Sequence, residues 1–374
     1  MDRMKIRIST LLPALAGILV GCLFLSGLAL AAVTPGAGLP DQAIGTLDQH
    51  NPEIQAVMAV QDQYTGFLMS QQGVVGTATG LGPDGRPAVL VLIESFAGAR
   101  GATIPESLNG TPVAVRIVGE LKSLAPGGVH GPPGGGSDGG GGCSVDRTAR
   151  FDRPVPIGVS TGHPAITAGT IGARVTDGFN VYALSNNHVY ANENSASIND
   201  NVLQPGTYDG GQNPADAIGT LDNFVPIVFS TGANNTVDAA IALTTTGQVG
   251  KATPCDGYGT PKSTTAEAFI NQKVKKYGRT TGQTTGQIAG INATVTINYG
   301  PAGTARFVNQ LLIQPGSFSA GGDSGSLIVV DGKGKNKSQD RNPVGLLFAG
   351  STLVTIANPI DPVLDAFGVT IDGN

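Results

Sequence analysis

Apolar residues are unevenly placed along this 374-residue chain. Ile8 to Val33 contains no charged residue and follows Arg3, Lys5 and Arg7. A basic start before a long apolar run is the pattern of an export segment, and fold reasoning leaves it aside. Ala29-Leu30-Ala31 offers a small-x-small cleavage site after Ala31. Leu19-Val20-Gly21-Cys22 offers a lipobox with Cys22 as the lipidated residue, and the run is also long enough to cross a bilayer uncut. Residues 1–31 therefore read as a signal peptide or membrane anchor. Every alternative places the rest of the chain in the secreted or cell-envelope, extracytoplasmic space.

After this segment the apolar spacing becomes helical. Ile54, Val57, Met58, Tyr64 and Leu68 share one face. Asn51 suits the cap, Pro52 the first helical position and Glu53 the positive helix end. The period then changes to that of strands, at Val74–Leu81, Ala88–Ile93 and Val113–Val118, with a strong turn at Pro83-Asp84-Gly85-Arg86-Pro87. This predicts a small α+β domain over 45–122. Pro126 to Gly142 contains ten glycines and three prolines in seventeen residues. No core can form from it, so 123–142 reads as a linker. From 143 to 374 the apolar runs are short and separated by Gly, Asn and Pro. They predict strands at 169–175, 181–185, 238–244, 273–277, 287–298, 310–314, 325–330 and 344–348, with one helix near Asp361–Phe367. Such spacing suggests a mainly β fold, a sandwich or barrels.

Composition narrows the class. Only 13% of residues are charged and the formal net charge is −5. Ordinary domains carry about 25%, so a coiled coil or a highly charged disordered chain is excluded. The mild negative balance argues against nucleic acid as a partner. Glycine supplies 56 residues, about twice the usual share, but without the three-residue period of collagen. Once the export segment is removed, Cys143 and Cys255 remain. They form one disulfide or stay as two thiols, and spacing alone leaves both open.

Three segments carry chemistry. Leu184-Ser185-Asn186-Asn187-His188-Val189 is a strand ending in a histidine. Asn235-Thr236-Val237-Asp238-Ala239-Ala240-Ile241-Ala242-Leu243 is an aspartate opening an apolar strand. Gly321-Gly322-Asp323-Ser324-Gly325-Ser326-Leu327 is a serine in a Gly-bounded turn before a strand. A serine hydroxyl is a poor nucleophile unless a base lies within hydrogen-bond reach. Imidazole titrates near neutrality, so it can take that proton and return it to a leaving group. A buried carboxylate fixes the imidazole tautomer. Glycines beside the serine let backbone N–H groups converge where a carbonyl oxygen becomes an oxyanion.

These segments resemble the chymotrypsin/trypsin-like serine proteases. GDSGS is close to that family's GDSGG, NNHV resembles its histidine segment, and VDAAIAL its aspartate strand. The order His, Asp, Ser is the family's, over roughly 150–370. LSNNHV, GRTTG, GLLFAGS and ANPI also look like a bacterial branch related to the plant narrow-leaf trypsin-like proteins. The resemblance implies two six-stranded antiparallel β-barrels over 143–374, preceded by the small α+β domain. It also implies an exported serine endopeptidase that hydrolyses peptide bonds through an acyl-enzyme. Carried over, Ser324 is the nucleophile, His188 the general base and acid, and Asp238 the orienting carboxylate. The N–H groups of Gly322 and Ser324 make the oxyanion hole. Phe318 lies near the base of the substrate pocket, and Phe348, Ala349 and Gly350 form the wall that pairs with substrate backbone. An apolar Phe318 disfavours Arg or Lys substrates.

The chain departs from the family pattern at Asn187, where an alanine is usual, and at Ser326, where a glycine is usual. Arg153-Pro154 is a poor site for activation by cleavage, so a new N-terminus paired with Asp323 is not expected. Asp209, Asp216 and Asp222 compete with Asp238 for the carboxylate role. His163, before a proline, and His130, in the linker, read as solvent-exposed; His50 reads as a polar residue before the helix. No HExxH, EF-hand or other metal-ligand spacing occurs, so no metal and no cofactor are expected. The expected partner is a polypeptide substrate. Membrane anchorage through the N-terminal segment and the oligomeric state stay open. The competing function is a catalytically weak or inactive binding protein of the cell envelope on the same fold.

Overall fold

The computed structural model describes residues 46–124, 143–332 and 334–374. The expected export segment 1–31 and residues 125–142 of the expected linker, with His130, lie outside the described residues. Helix α1 (Pro52–Met69) begins as its sequence dictates: the Asn51 side chain accepts hydrogen bonds from the N–H groups of Glu53 and Ile54. The strands of this N-terminal unit are β1 (Val74–Leu81), β2 (Pro87–Ile93), β3 (Ser107–Leu108), β4 (Thr111–Ile117) and β5 (Lys122–Ser123). The next are β6 (Ser160–Thr161), β7 (Gly169–Thr170), β8 (Ala173–Thr176) and β9 (Val181–Ser185), followed by the short helix α2 (Asn187–Tyr190). Then come β10 (Asn201–Leu203), β11 (Ala217–Phe224), β12 (Ala240–Thr244), β13 (Lys273–Gly278), β14 (Gly282–Asn298) and β15 (Thr304–Gln314). The chain ends with β16 (Leu327–Val330), β17 (Pro343–Gly350), β18 (Thr355–Pro359), helix α3 (Ile360–Asp365) and β19 (Thr370–Ile371).

The fold is mainly β. The described strands form sheets of eleven, six and two members. In the largest, β13-β16-β17-β18-β15-β14 run in order, and β14 pairs back to β13, closing a circuit of six hydrogen-bonded strands. The six-stranded sheet runs β10-β11-β12-β9-β8-β19. The two pack through Val175, Leu184 and Ile241 on one side and Leu327, Val329 and Leu346 on the other. β6 and β7 pair apart from both.

The N-terminal unit continues the larger sheet. β14 is 17 residues long. Its first part pairs with β13, and further along Ile291 and Val295 lie opposite Thr79 and Gly76 of β1. β2 follows β1, and both its faces are buried, which explains its unbroken apolar sequence. Val89, Val91 and Ile93 pack under α1 with Val57 and Leu68. Leu90 and Leu92 join Val295, Phe307 and Phe348. Gln61 of α1 is fully buried and donates to the Asn292 carbonyl at 2.7 Å, pinning the helix to β14. Cys143 and Cys255 are joined as a disulfide with Cα atoms 6.2 Å apart. Closing a loop of that length contributes about 4–5 kcal/mol in the chain-entropy model.

Candidate active site

β9 delivers His188 to the seam between the two sheets. Ser185 pairs with Ala240, which brings the residues after β9 beside those before β12. Asn186 donates to the Asp238 backbone carbonyl at 2.7 Å. Asn187 holds the turn by donating to Asn194 and to the Val225 carbonyl, both at 2.7 Å, so the residue that departs from the family pattern has a structural task. His188 Nδ1 lies 2.6 Å from Asp238 Oδ2, and the His188 N–H reaches Oδ1 at 3.2 Å. A carboxylate only accepts, so Nδ1 carries a proton directed at Asp238. His188 is buried, and its Nε2 has no hydrogen-bond partner among the described residues.

Asp238 is fully buried and has further donors. Tyr299 donates its hydroxyl to Oδ2 at 2.8 Å, and its ring meets the imidazole edge-on with centroids 5.9 Å apart. Burial first, then the Asp238 charge, raises the Tyr299 hydroxyl well above its ordinary range, which keeps it a donor. The Asp238 N–H donates to Asn358 Oδ1 at 3.1 Å.

Ser324 sits in a turn that needs its glycines. Gly322 and Gly325 have φ of +95° and +92°. A Cβ on Gly325 would collide with Ser185 Oγ and the Thr170 carbonyl. The Ser324 carbonyl accepts from Thr170 N–H at 2.8 Å. A Cβ on Gly169 would meet Val189 at 2.6 Å and the Ser324 carbonyl at 3.1 Å, so the two motifs abut there. Ser326 Oγ donates to the Asp323 carbonyl at 2.6 Å, a contact the usual glycine cannot make. Ser324 Oγ donates to the Phe348 carbonyl at 3.3 Å and not to His188.

Asp323 is fully buried beside Lys276, whose Nζ is 3.1 Å from Oδ2 and is itself fully buried. Thr280 N–H, Ala320 N–H and the Thr281 hydroxyl also donate to the carboxylate, at 2.8, 3.0 and 2.6 Å. Burial pushes this carboxyl up, but the Lys276 charge and these donors outweigh it and hold it below its ordinary value. A new N-terminus is therefore not needed to compensate Asp323.

The expected substrate wall is already paired with the chain's own backbone. The Phe348 carbonyl accepts from Leu124 N–H at 3.3 Å, Ala349 pairs with Ser123, and Gly350 with Lys122. The Gly322 N–H donates to the Leu124 carbonyl at 2.6 Å. Phe318 is fully buried, in one apolar cluster with Leu124. A groove of about 1120 Å³ lies elsewhere, lined by Leu81, Arg116, Ile270 and Gln314, and contains none of His188, Asp238 and Ser324.

The competing residues are placed elsewhere. Asp216 forms a double hydrogen bond with Arg150, Asp209 pairs with Arg279, and Asp222 is exposed. His50 is exposed and lies 3.3 Å from Glu267. His163 corrects the expectation of exposure. It is only 8% exposed because its Nδ1 accepts from Ala165 N–H and its Nε2 lies 3.1 Å from Asp200. Tyr299, Lys276 and Leu124 are the site residues that sequence reasoning missed. Each is a single residue in an ordinary strand or loop context, with no motif around it.

Residues 207–356 match the family model described as the Nal1 C-terminal domain, in line with the narrow-leaf resemblance. That span includes Asp238 and Ser324 but not His188. No curated protein matches the chain. Among solved structures, the chain is similar to a glutamic acid specific serine protease, with 24% identity and a TM-score of 0.42 over 58% of this chain and 100% of that one. It is similar to Thermobifida fusca Protease A, with 18% identity and a TM-score of 0.41 over 59% and 100%. It is also similar to Cellulomonas bogoriensis chymotrypsin, with 18% identity and a TM-score of 0.39 over 60% and 100%.

Proposed function

We propose that the chain is an exported serine endopeptidase in which Ser324, His188 and Asp238 act as a triad. The observation that carries this reading is the imidazole itself. Its Nδ1 is held by a buried carboxylate 2.6 Å away, and its Nε2 is buried with no partner among the described residues. A carboxylate at Nδ1 fixes the ring and leaves Nε2 as the nitrogen that can exchange a proton with a reacting group. In the proposed reaction Nε2 takes the Ser324 proton as Oγ attacks a peptide carbonyl. Gly322 N–H receives the developing oxyanion. His188 then protonates the leaving amine, and water releases the acyl group by the reverse exchange.

One observation favours a second reading, an envelope binding protein of weak or no activity. Ser324 Oγ is directed to the Phe348 carbonyl, and Ser324 is fully buried. Labelling with a fluorophosphonate at neutral pH separates the two. The triad reading expects label on Ser324 that is lost in Ser324→Ala. Because Leu124 fills the cleft, the same labelling is run on Leu124→Asp, which loosens its hold. No label on either the wild type or Leu124→Asp overturns the peptidase reading.

A further inference from the structure

We infer that Arg279, held by Asp209, is a positioning residue that fixes the peptide plane of the oxyanion donor. The inference rests on the peptidase reading above and names what keeps that same site in its working form. Gly278-Arg279-Thr280-Thr281-Gly282 makes the turn between β13 and β14. It touches the Ser324 turn: a Cβ on Gly322 would lie 2.6 Å from Thr280 Oγ1 and 2.9 Å from Arg279 Nη1. Gly321 and Gly322 share a peptide with no Cβ on either side, and Gly322 has a φ of +95°. Such a peptide turns over with little steric resistance. Turned over, it would aim the Gly321 carbonyl, instead of the Gly322 N–H, at the developing oxyanion. An acceptor in that place repels the charge that a donor stabilises. A working site therefore needs something to hold this peptide.

Arg279 orients both hydroxyls that do so. The Thr280 hydroxyl donates to the Gly321 carbonyl at 2.6 Å. In a trans peptide the carbonyl and the following N–H point in opposite directions. Holding the Gly321 carbonyl therefore sends the Gly322 N–H the other way, where it meets the Leu124 carbonyl at 2.6 Å. Arg279 Nη1 donates to Thr280 Oγ1 at 3.0 Å, which leaves the hydroxyl proton for Gly321. The next peptide is held in the same way. The Thr170 hydroxyl accepts from Arg279 N–H at 3.0 Å and donates to the Gly322 carbonyl at 2.9 Å. Through its guanidinium and its backbone, Arg279 thus directs a hydroxyl onto each peptide of Gly322.

The guanidinium is itself fixed from the segment after β10. Asp209, in the turn Thr207–Asp209, accepts from Arg279 Nε at 2.7 Å and also from Nη2. Ser160 Oγ donates to the same carboxylate at 2.5 Å. The Tyr208 ring faces the guanidinium, 5.2 Å from its centroid. Both members of the ion pair are less than a tenth exposed. A planar fork with two N–H groups on one carboxylate leaves its third nitrogen a single direction, here toward Thr280. An ammonium has no such fork. The two ion pairs near Ser324 therefore do different things. Lys276 and Asp323 support the turn, whereas Arg279 and Asp209 aim one N–H within it.

The test measures fluorophosphonate labelling of Ser324 on the full chain at neutral pH. The phosphoryl oxygen of this probe takes the oxyanion position. The limiting rate is read separately from the half-saturating concentration, and Leu124→Asp is the reference form where the wild type takes no label. Thr280→Val keeps the backbone and the side-chain shape and removes only the hydroxyl. Its limiting rate is expected to fall about 10²-fold, the scale of one lost oxyanion donor, with half-saturation little changed. Thr280→Ser restores the hydroxyl and is expected to label close to the reference rate. Arg279→Lys keeps Asp209 paired, so the fold is retained, and is expected to label about tenfold more slowly, the scale of one hydrogen bond. A hydroxyl that only braces the turn would lower the urea midpoint of Thr280→Val and leave its limiting rate unchanged. That result overturns the inference, as does a Thr280→Ser as slow as Thr280→Val, or an Arg279→Lys at the full rate. In each of these cases Ser324 is still labelled in the reference form, so the peptidase reading stands. No label on either the wild type or Leu124→Asp loses both.

Discussion

Two fully buried carboxylates flank the candidate site, and their partners differ in kind. Asp323, on the Ser324 turn, faces the Lys276 ammonium and backbone donors. Asp238, before β12, faces an imidazole, a tyrosine hydroxyl and the N–H of His188. In the first set the Lys276 charge and the backbone donors hold Asp323 below its ordinary value, which suits the fixed geometry of a turn. The second contains the one partner that can gain and lose a proton near neutrality. On the proposed peptidase reading this is a division of labour: one carboxylate holds the backbone of Ser324, and the other tunes His188.

Two substitutions test that division most strongly. Asp238→Asn removes one oxygen from a group that receives donors on both. The amide must turn an NH2 toward His188 or its N–H, which spoils the Nδ1-protonated tautomer. Peptidase turnover is expected to fall about 10⁴-fold, the scale of the same change in serine-protease triads. Equal turnover in Asp238→Asn and wild type breaks the assignment of Asp238 as the tuning carboxylate. Lys276→Met instead leaves Asp323 buried without its counter-charge, and is expected to cost about 3–5 kcal/mol in urea unfolding at pH 7. The pH dependence sharpens this. A carboxyl held below its ordinary value contributes stability that is present above about pH 4 and lost as pH falls through the folded value. Without Lys276 that depression weakens, so the acid loss shrinks in Lys276→Met. Parallel stability curves for the two proteins would mean that the ion pair does not set the turn.

The same contrast marks what could be read from the chain alone. His188, Asp238 and Ser324 were legible because each stands in a motif whose neighbours are local. Helix α1 was legible for the same reason, since Asn51 caps the helix that it precedes. Lys276 was not, because in VKKYG it reads as one of two charged strand residues. Its partner lies 47 positions away, and only the fold supplies it. Tyr299 is likewise 61 positions from Asp238. The start of β14 was missed at Gly282, five residues before the expected one, because GQTTG is polar and becomes a strand by pairing with β13. β11 and β18 were missed for a related reason: their extended form is decided by neighbours distant in sequence. Leu124 reads as linker in the sequence, because nothing local distinguishes a linker residue from one whose backbone pairs with Phe348 and Gly322.

Tyr299→Phe is the gentlest way to separate tuning from support. The ring and its edge-on contact with His188 are kept, and only the hydroxyl at 2.8 Å from Asp238 Oδ2 is lost. A hydrogen bond to a charged group is worth about 1.5–3 kcal/mol, and part of that loss is recovered by the remaining donors. Turnover is therefore expected to fall about tenfold, with KM little changed because Tyr299 hydrogen-bonds the carboxylate and not the 121–124 strand. A Tyr299 that only supports the core would lower the urea unfolding midpoint and leave turnover unchanged. Lowered stability with unchanged turnover would therefore assign the tyrosine to packing and leave the imidazole as the sole working partner of Asp238.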